Sequence, residues 1–92
     1  MEWLRGLKDV RGRAAVRNRV GRLELGHFGD CRHIEGSVWE LKIALGPGYR
    51  VYYARAGKKV VLLLCGGDKR TQAKDIEKAV KYWFIYRSKH NA

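Results

Sequence analysis

Lysine, arginine and tyrosine recur at alternate positions of one short stretch, in an order suited to holding a phosphate. Residues 41–53 read LKIALGPGYRVYY. Two runs of strand character are joined there by Gly46-Pro47-Gly48, the turn of a β-hairpin. The period-2 rule puts Trp39, Leu41, Ile43 and Leu45 on one face, with Tyr49, Val51 and Tyr53 across the turn. Glu40 and Lys42 project from the other face, beside Arg50 and Tyr52. Two cations and a phenol on one surface can bind an oxyanion and exchange a proton. A plain solvated strand face carries the same residue types, and spacing alone does not separate the two.

A second cationic group supports the phosphate reading. Lys69, Arg70 and Thr71 follow Gly66-Gly67-Asp68, where a strand gives way to a helix. Backbone amides at a helix start and two cations favour an anion, whereas the simpler arrangement is a helix capped by Asp68 or Thr71. The GxxxxGK[ST] pattern of a nucleotide-binding P-loop is absent. Arg13 and Arg17 border one side of an apolar stripe within residues 10–25, and Arg11, Arg19 and Arg22 border the other. They suit phosphate contacts or an acidic groove on a partner, or else form a solvated helix face.

These groups need elements to position them. Residues 1–8, with Trp3, Leu4 and Leu7 at helical spacing, predict a short helix. Residues 10–25 predict a second helix whose stripe of Val16, Val20 and Leu23 is narrow, as for a helix lying on the outside of a domain. Residues 26–36, GHFGDCRHIEG, read as loop with a short extended piece at 31–34. After the hairpin, Gly57-Lys58-Lys59 marks a turn. The apolar run VVLLLC at 60–65 predicts a strand covered on both faces and hence central in its sheet. Residues 71–87 predict a helix with Ala73, Ile76, Val80 and Trp83 on one face, and the tail 88–92 frays. The fold class is α+β: two N-terminal helices packed on an antiparallel sheet of three strands, then a C-terminal helix, in one domain over residues 1–92. Trp3, Trp39 and Trp83 read as core, with any at the rim able to stack a base.

Composition narrows the partners. Ninety-two residues carry 20 Lys+Arg against 9 Asp+Glu, a formal charge of +11, while 46% hydrophobic content excludes a disordered chain. A charge that large on so small a surface favours a polyanion, with nucleic acid ahead of an anionic membrane surface or an acidic protein. No run approaches the ~20 apolar residues of a membrane span, and no signal-peptide layout opens the chain, so a cytoplasmic protein is expected. Cys31, Cys65 and the three histidines show no metal-ligand spacing, and both cysteines read as free thiols.

Several motifs, in order, carry a family resemblance. LKD at 7–9, GxFGD at 26–30, VxELKIxxGPGYRVYY at 38–53, VLLLCGGDK at 61–69 and TQxxDI at 71–76 resemble the phage-derived, HigB-like branch of the RelE/ParE superfamily, the toxins of type II toxin–antitoxin modules. The resemblance implies an mRNA endonuclease acting on codons in the ribosomal A site. It further implies cleavage by the RNA 2′-hydroxyl with neither metal nor cofactor. The implied partner is an antitoxin of helix-turn-helix type whose complex represses its own operon. A ParE-like inhibitor of a topoisomerase, or an inactive relic held by its antitoxin, is the alternative of another class.

By position, the resemblance puts Arg50 on the scissile phosphate, Lys42 on a basic position where arginine is commoner, and Lys69, with Arg70, on the basic position after the last strand. Apart from the resemblance, Arg13, Arg17 and Thr71 are expected as RNA or phosphate contacts from the helix positions described above. The proton-transfer group is left among Tyr52, Tyr53 and Tyr86, or a lysine of lowered pKa, because no histidine lies in these motifs. The family pattern also has a strand before the first helix, which this chain does not show. An open sheet edge, and a homodimer through it, are the expected consequence.

Overall fold

Alternating side chains and a glycine turn build the centre of the molecule. Strands β2 (Val38–Ile43) and β3 (Tyr49–Ala56) pair antiparallel, with Leu41 opposite Val51, Lys42 opposite Arg50 and Glu40 opposite Tyr52. Between them Gly46 and Gly48 take φ of 58° and 80°, the left-handed region that glycine enters without a Cβ clash. The computed structural model describes residues 1–56 and 60–90. The turn expected at Gly57-Lys58-Lys59 and the last two residues of the tail therefore lie outside the described residues.

Among the described residues, four strands rather than the expected three form one sheet, in the order β1-β2-β3-β4, every neighbour antiparallel. The added strand is β1 (Cys31–Glu35), from the stretch read mainly as loop. It pairs with β2 through Cys31 opposite Leu41 and His33 opposite Trp39, and its register breaks between His33 and Glu35. Little of it is buried, so pairing with β2 rather than its own pattern makes it a strand.

The run at 60–65 belongs to β4 (Val60–Gly67), which is an edge strand and not the central one. Its apolar residues serve both faces because the sheet is covered on both, which says nothing about its hydrogen-bonded neighbours. A bulge divides it: Leu63 lies opposite Tyr53 and Cys65 opposite Tyr52, leaving Leu64 as the extra residue. Val61 and Leu63 thereby join one core and Leu64 and Cys65 the other.

On the first face lie α1 (Glu2–Arg5), shorter than the expected 1–8, and α2 (Val10–Glu24). Val16, Val20 and Leu23 of α2 pack on Leu41, Ile43, Tyr49, Val51 and Tyr53. Trp3 of α1 lies over Gly66, where a Cβ would collide with its ring. The cap of α2 is Asp9, which accepts from the Gly12 amide at 3.0 Å and from the Tyr49 hydroxyl at 2.7 Å, tying the helix start to β3.

The second face carries α3 (Gln72–His90), entered through a 3₁₀ turn, Lys69–Thr71. This helix continues through Ser88 and Lys89, where a frayed tail was expected. Its Ala79, with Ile76 and Trp83, packs on Val38, Tyr52 and Cys65. The surface holding Lys42, Arg50 and Tyr52 is therefore partly roofed, not an open strand face. Among the described residues no helix is long and apolar enough to cross a membrane.

Candidate active site

Roofing by α3 turns the polar face of the hairpin into a concavity of about 250 Å3 at the end where the helix begins. Asp30, Arg32, Glu40, Lys42, Arg50 and Gln72 line it. β1 supplies Arg32, β2 supplies Glu40 and Lys42, β3 supplies Arg50, and the first residue of α3 is Gln72.

Glu40 is the hub of this group, and the sequence assigned it no role. Only 3% exposed, it accepts from Gln72 Nε2 at 2.9 Å, while its Oε1 lies 3.3 Å from Arg32 Nε and its Oε2 lies 3.8 Å from Arg50 Nε. Its burial is tolerable because cations approach it from two strands; an unpaired buried carboxylate would cost several kcal/mol. The only advance signal was its place, two residues before Lys42 on the polar face.

Arg50 is buried to 5% exposure, with Nη1 donating to the Gly48 carbonyl at 2.6 Å. Its Nε is shut from solvent without a hydrogen bond of normal geometry. Lys42, paired opposite Arg50, is exposed at the mouth. Lys69 is exposed on the 3₁₀ turn beside the hairpin, where a Cβ on Gly48 would meet the Lys69 Cβ at 3.6 Å. Arg50, Lys42 and Lys69 are thus gathered at one end of the sheet.

Other predicted residues are held elsewhere. Tyr52 is fully buried beneath α3, so RNA does not reach its ring. Its hydroxyl makes no hydrogen bond of normal geometry, and burial, with the nearby Glu40 carboxylate, pushes the phenol far above its ordinary value. It keeps its proton at neutral pH and is not the acceptor that the sequence left open. Tyr53 is equally buried on the opposite face, its phenol pushed up chiefly by burial. Tyr86 stacks on Trp83 at 5.8 Å.

At the helix entry the capping arrangement prevails. Asp68 accepts from the Arg70 amide at 2.8 Å and pairs with the Arg70 guanidinium at 3.1 Å, which holds its carboxyl below the usual range. Thr71 closes a capping box with Asp68 and donates to the buried Asp75. A carboxylate thus already occupies the place expected for a phosphate, although Arg70 remains 82% exposed. Arg13 donates to the Leu7 carbonyl at 3.1 Å, and Arg17 is exposed on α2, across the sheet from the concavity. Among the described residues no three His, Cys, Asp or Glu gather as metal ligands.

A family model described as phage-derived protein Gp49-like (DUF891) matches residues 2–83. The chain belongs to this Gp49-like family. It is a RelE/toxin-like family, which bears out the resemblance at superfamily level. A Haemophilus influenzae (strain Rd) protein known only as uncharacterized is 47% identical over 77 residues, covering 84% of this chain and 78% of the relative. No solved structure is a significant match. The span shared with the Gp49-like model takes in all six residues of the concavity.

Proposed function

We propose that this Gp49-like chain is the toxin of a type II toxin–antitoxin module, of HigB-like type, and cleaves mRNA in the ribosomal A site. The observation that carries the reading is the concavity, where Arg50, Lys42 and Arg32 converge around a single buried carboxylate. A scissile phosphate entering it meets the two exposed cations first and the Arg50 guanidinium at the floor. Lys69 stands close enough to the hairpin to hold a flanking phosphate. Attack by the adjacent 2′-hydroxyl gives a 2′,3′-cyclic phosphate and a free 5′-hydroxyl, with the cations stabilising the pentacovalent phosphorane. The reading carries the rest of the family expectation with it: a cytoplasmic enzyme and a helix-turn-helix antitoxin.

Primer extension on a translated reporter transcript tests this. Induction of the wild type should give 5′-ends clustered at codon positions, together with growth arrest. Arg50→Ala combined with Lys69→Ala should abolish both, and arrest without codon-phased ends would overturn the reading. One observation favours the non-catalytic alternative: Arg50 is already partnered by Glu40. An inactive module, or a topoisomerase inhibitor, would leave the transcript uncut. Self-association through an open edge has two candidate strands, β1 and β4. A monomeric mass by light scattering at high concentration would remove it.

A further inference from the structure

Of the six side chains around the concavity, two are carboxylates, Asp30 and Glu40. Asp30 is exposed at the rim, whereas Glu40 sits at the floor between the cations. The groups facing Glu40 come from every neighbouring element: Arg32 from β1, Lys42 on its own strand, Arg50 and Tyr52 from β3, and Gln72 from α3, with Asp75 of α3 near Tyr52. A guanidinium fits a phosphate as well as it fits a carboxylate, so Arg32 and Arg50 can exchange one for the other. Arg50 is set up for that exchange. Its Nε is 3.8 Å from Glu40 and has no hydrogen bond, although it is closed to solvent. Arg32, with its side chain 60% exposed, can swing toward an incoming anion.

We propose that Glu40 takes the proton from the RNA 2′-hydroxyl, and that the RNA phosphate makes it able to do so by drawing Arg32 and Arg50 off its carboxylate. The proposal rests on the endonuclease reading and adds the acceptor that this reading lacks. The guanidiniums lie against the two Glu40 oxygens, and their transfer to phosphate leaves those oxygens open to the 2′-hydroxyl when substrate is in place. In the balanced step the 2′-O–H proton passes to a Glu40 oxygen and the 2′-oxygen bonds to phosphorus. The P–O5′ bond breaks, and O5′ takes a proton from the Lys42 ammonium. Solvent then removes the proton from Glu40 and restores the one on Lys42.

The test measures the cleavage rate of a reporter mRNA translated in vitro with the purified full chain, across about pH 5 to 9. Glu40→Gln, which keeps size and hydrogen-bonding capacity, should lower the rate by about 10²–10⁴-fold and remove the acid limb of the profile. Arg32→Ala alters an exposed side chain and removes one of the cations that the phosphate is to draw off Glu40, so the rate should fall by about tenfold or more. Glu40→Gln cleaving within about threefold of wild type, or cleaving slowly with the acid limb intact, overturns the proposal. Should Glu40→Gln not fold, as judged by its thermal melt, an Arg32→Ala that cleaves within about threefold of wild type overturns it instead. A wild type that cuts no transcript overturns the endonuclease reading itself and this proposal with it. A wild type that cuts, beside a Glu40→Gln that cuts equally, overturns this proposal alone.

Discussion

Arg50 can be buried because Glu40 is buried beside it, with side chains 6% and 4% exposed. Neither charge would be stable there alone, and together they hold a cation at the floor of a concavity instead of losing it to solvent. Tyr52 has no such role. Its hydroxyl is enclosed without a good hydrogen bond, so Tyr52→Phe should change stability by less than about 1 kcal/mol and leave cleavage intact, as a melting curve and the transcript assay would show. Period-2 alternation was enough to place Glu40, Lys42, Arg50 and Tyr52 on one face, and the register of β2 against β3 agrees. What alternation could not give was the fate of that face. Ala73, Ile76, Val80 and Trp83 mark an apolar side of a helix without saying which side of the sheet it covers. A glutamate on a strand reads as solvated until a helix is known to lie over it.

Elements that depend on their own pattern were legible, and those that depend on a neighbour were not. The stripe of α2 and the glycine turn of the hairpin follow from local residues. β1 exists through pairing with β2, and the edge position of β4 is a property of the whole sheet. The start of α2 is an element-level joint whose pH response can be worked out. The Gly12 amide, and after it the Tyr49 hydroxyl, hold the Asp9 carboxyl below its ordinary 3.8, while Asp9 in turn, and then burial, raises the Tyr49 phenol above 10.0. A depressed carboxyl stabilises the fold above its unfolded value, and that contribution is lost as pH falls through the lower folded one. A raised phenol contributes fully below 10.0 and loses its contribution as pH climbs through its folded value. Thermal unfolding should therefore find wild type above Asp9→Asn through the neutral range, with the gap closing on acidification below 3.8.

Across the whole molecule, a charge of +11 is spread over both sides of the sheet. Lys42, Lys69 and the arginines around Glu40 gather at one end, and Arg17 lies beyond the sheet on α2. Binding to RNA should weaken steeply with salt, since each phosphate contact releases counterions. Lys42→Ala should reduce the slope of log affinity against log salt by about 1, measured by fluorescence anisotropy on a single-stranded oligoribonucleotide. The bulge in β4 bears on how the length of this chain can vary. Leu63 opposite Tyr53 and Cys65 opposite Tyr52 are the partners that an unbroken strand would also give if Leu64 were absent. A chain one residue shorter at that point keeps every cross-strand pair, Trp3 over Gly66 and Gly67 beneath Asp75, and gives up the Leu64 side chain in the second core together with the extra twist of the bulge. Leu64 is thus the one residue of β4 that the pairing with β3 does not require, and the site at the end of the sheet does not depend on it.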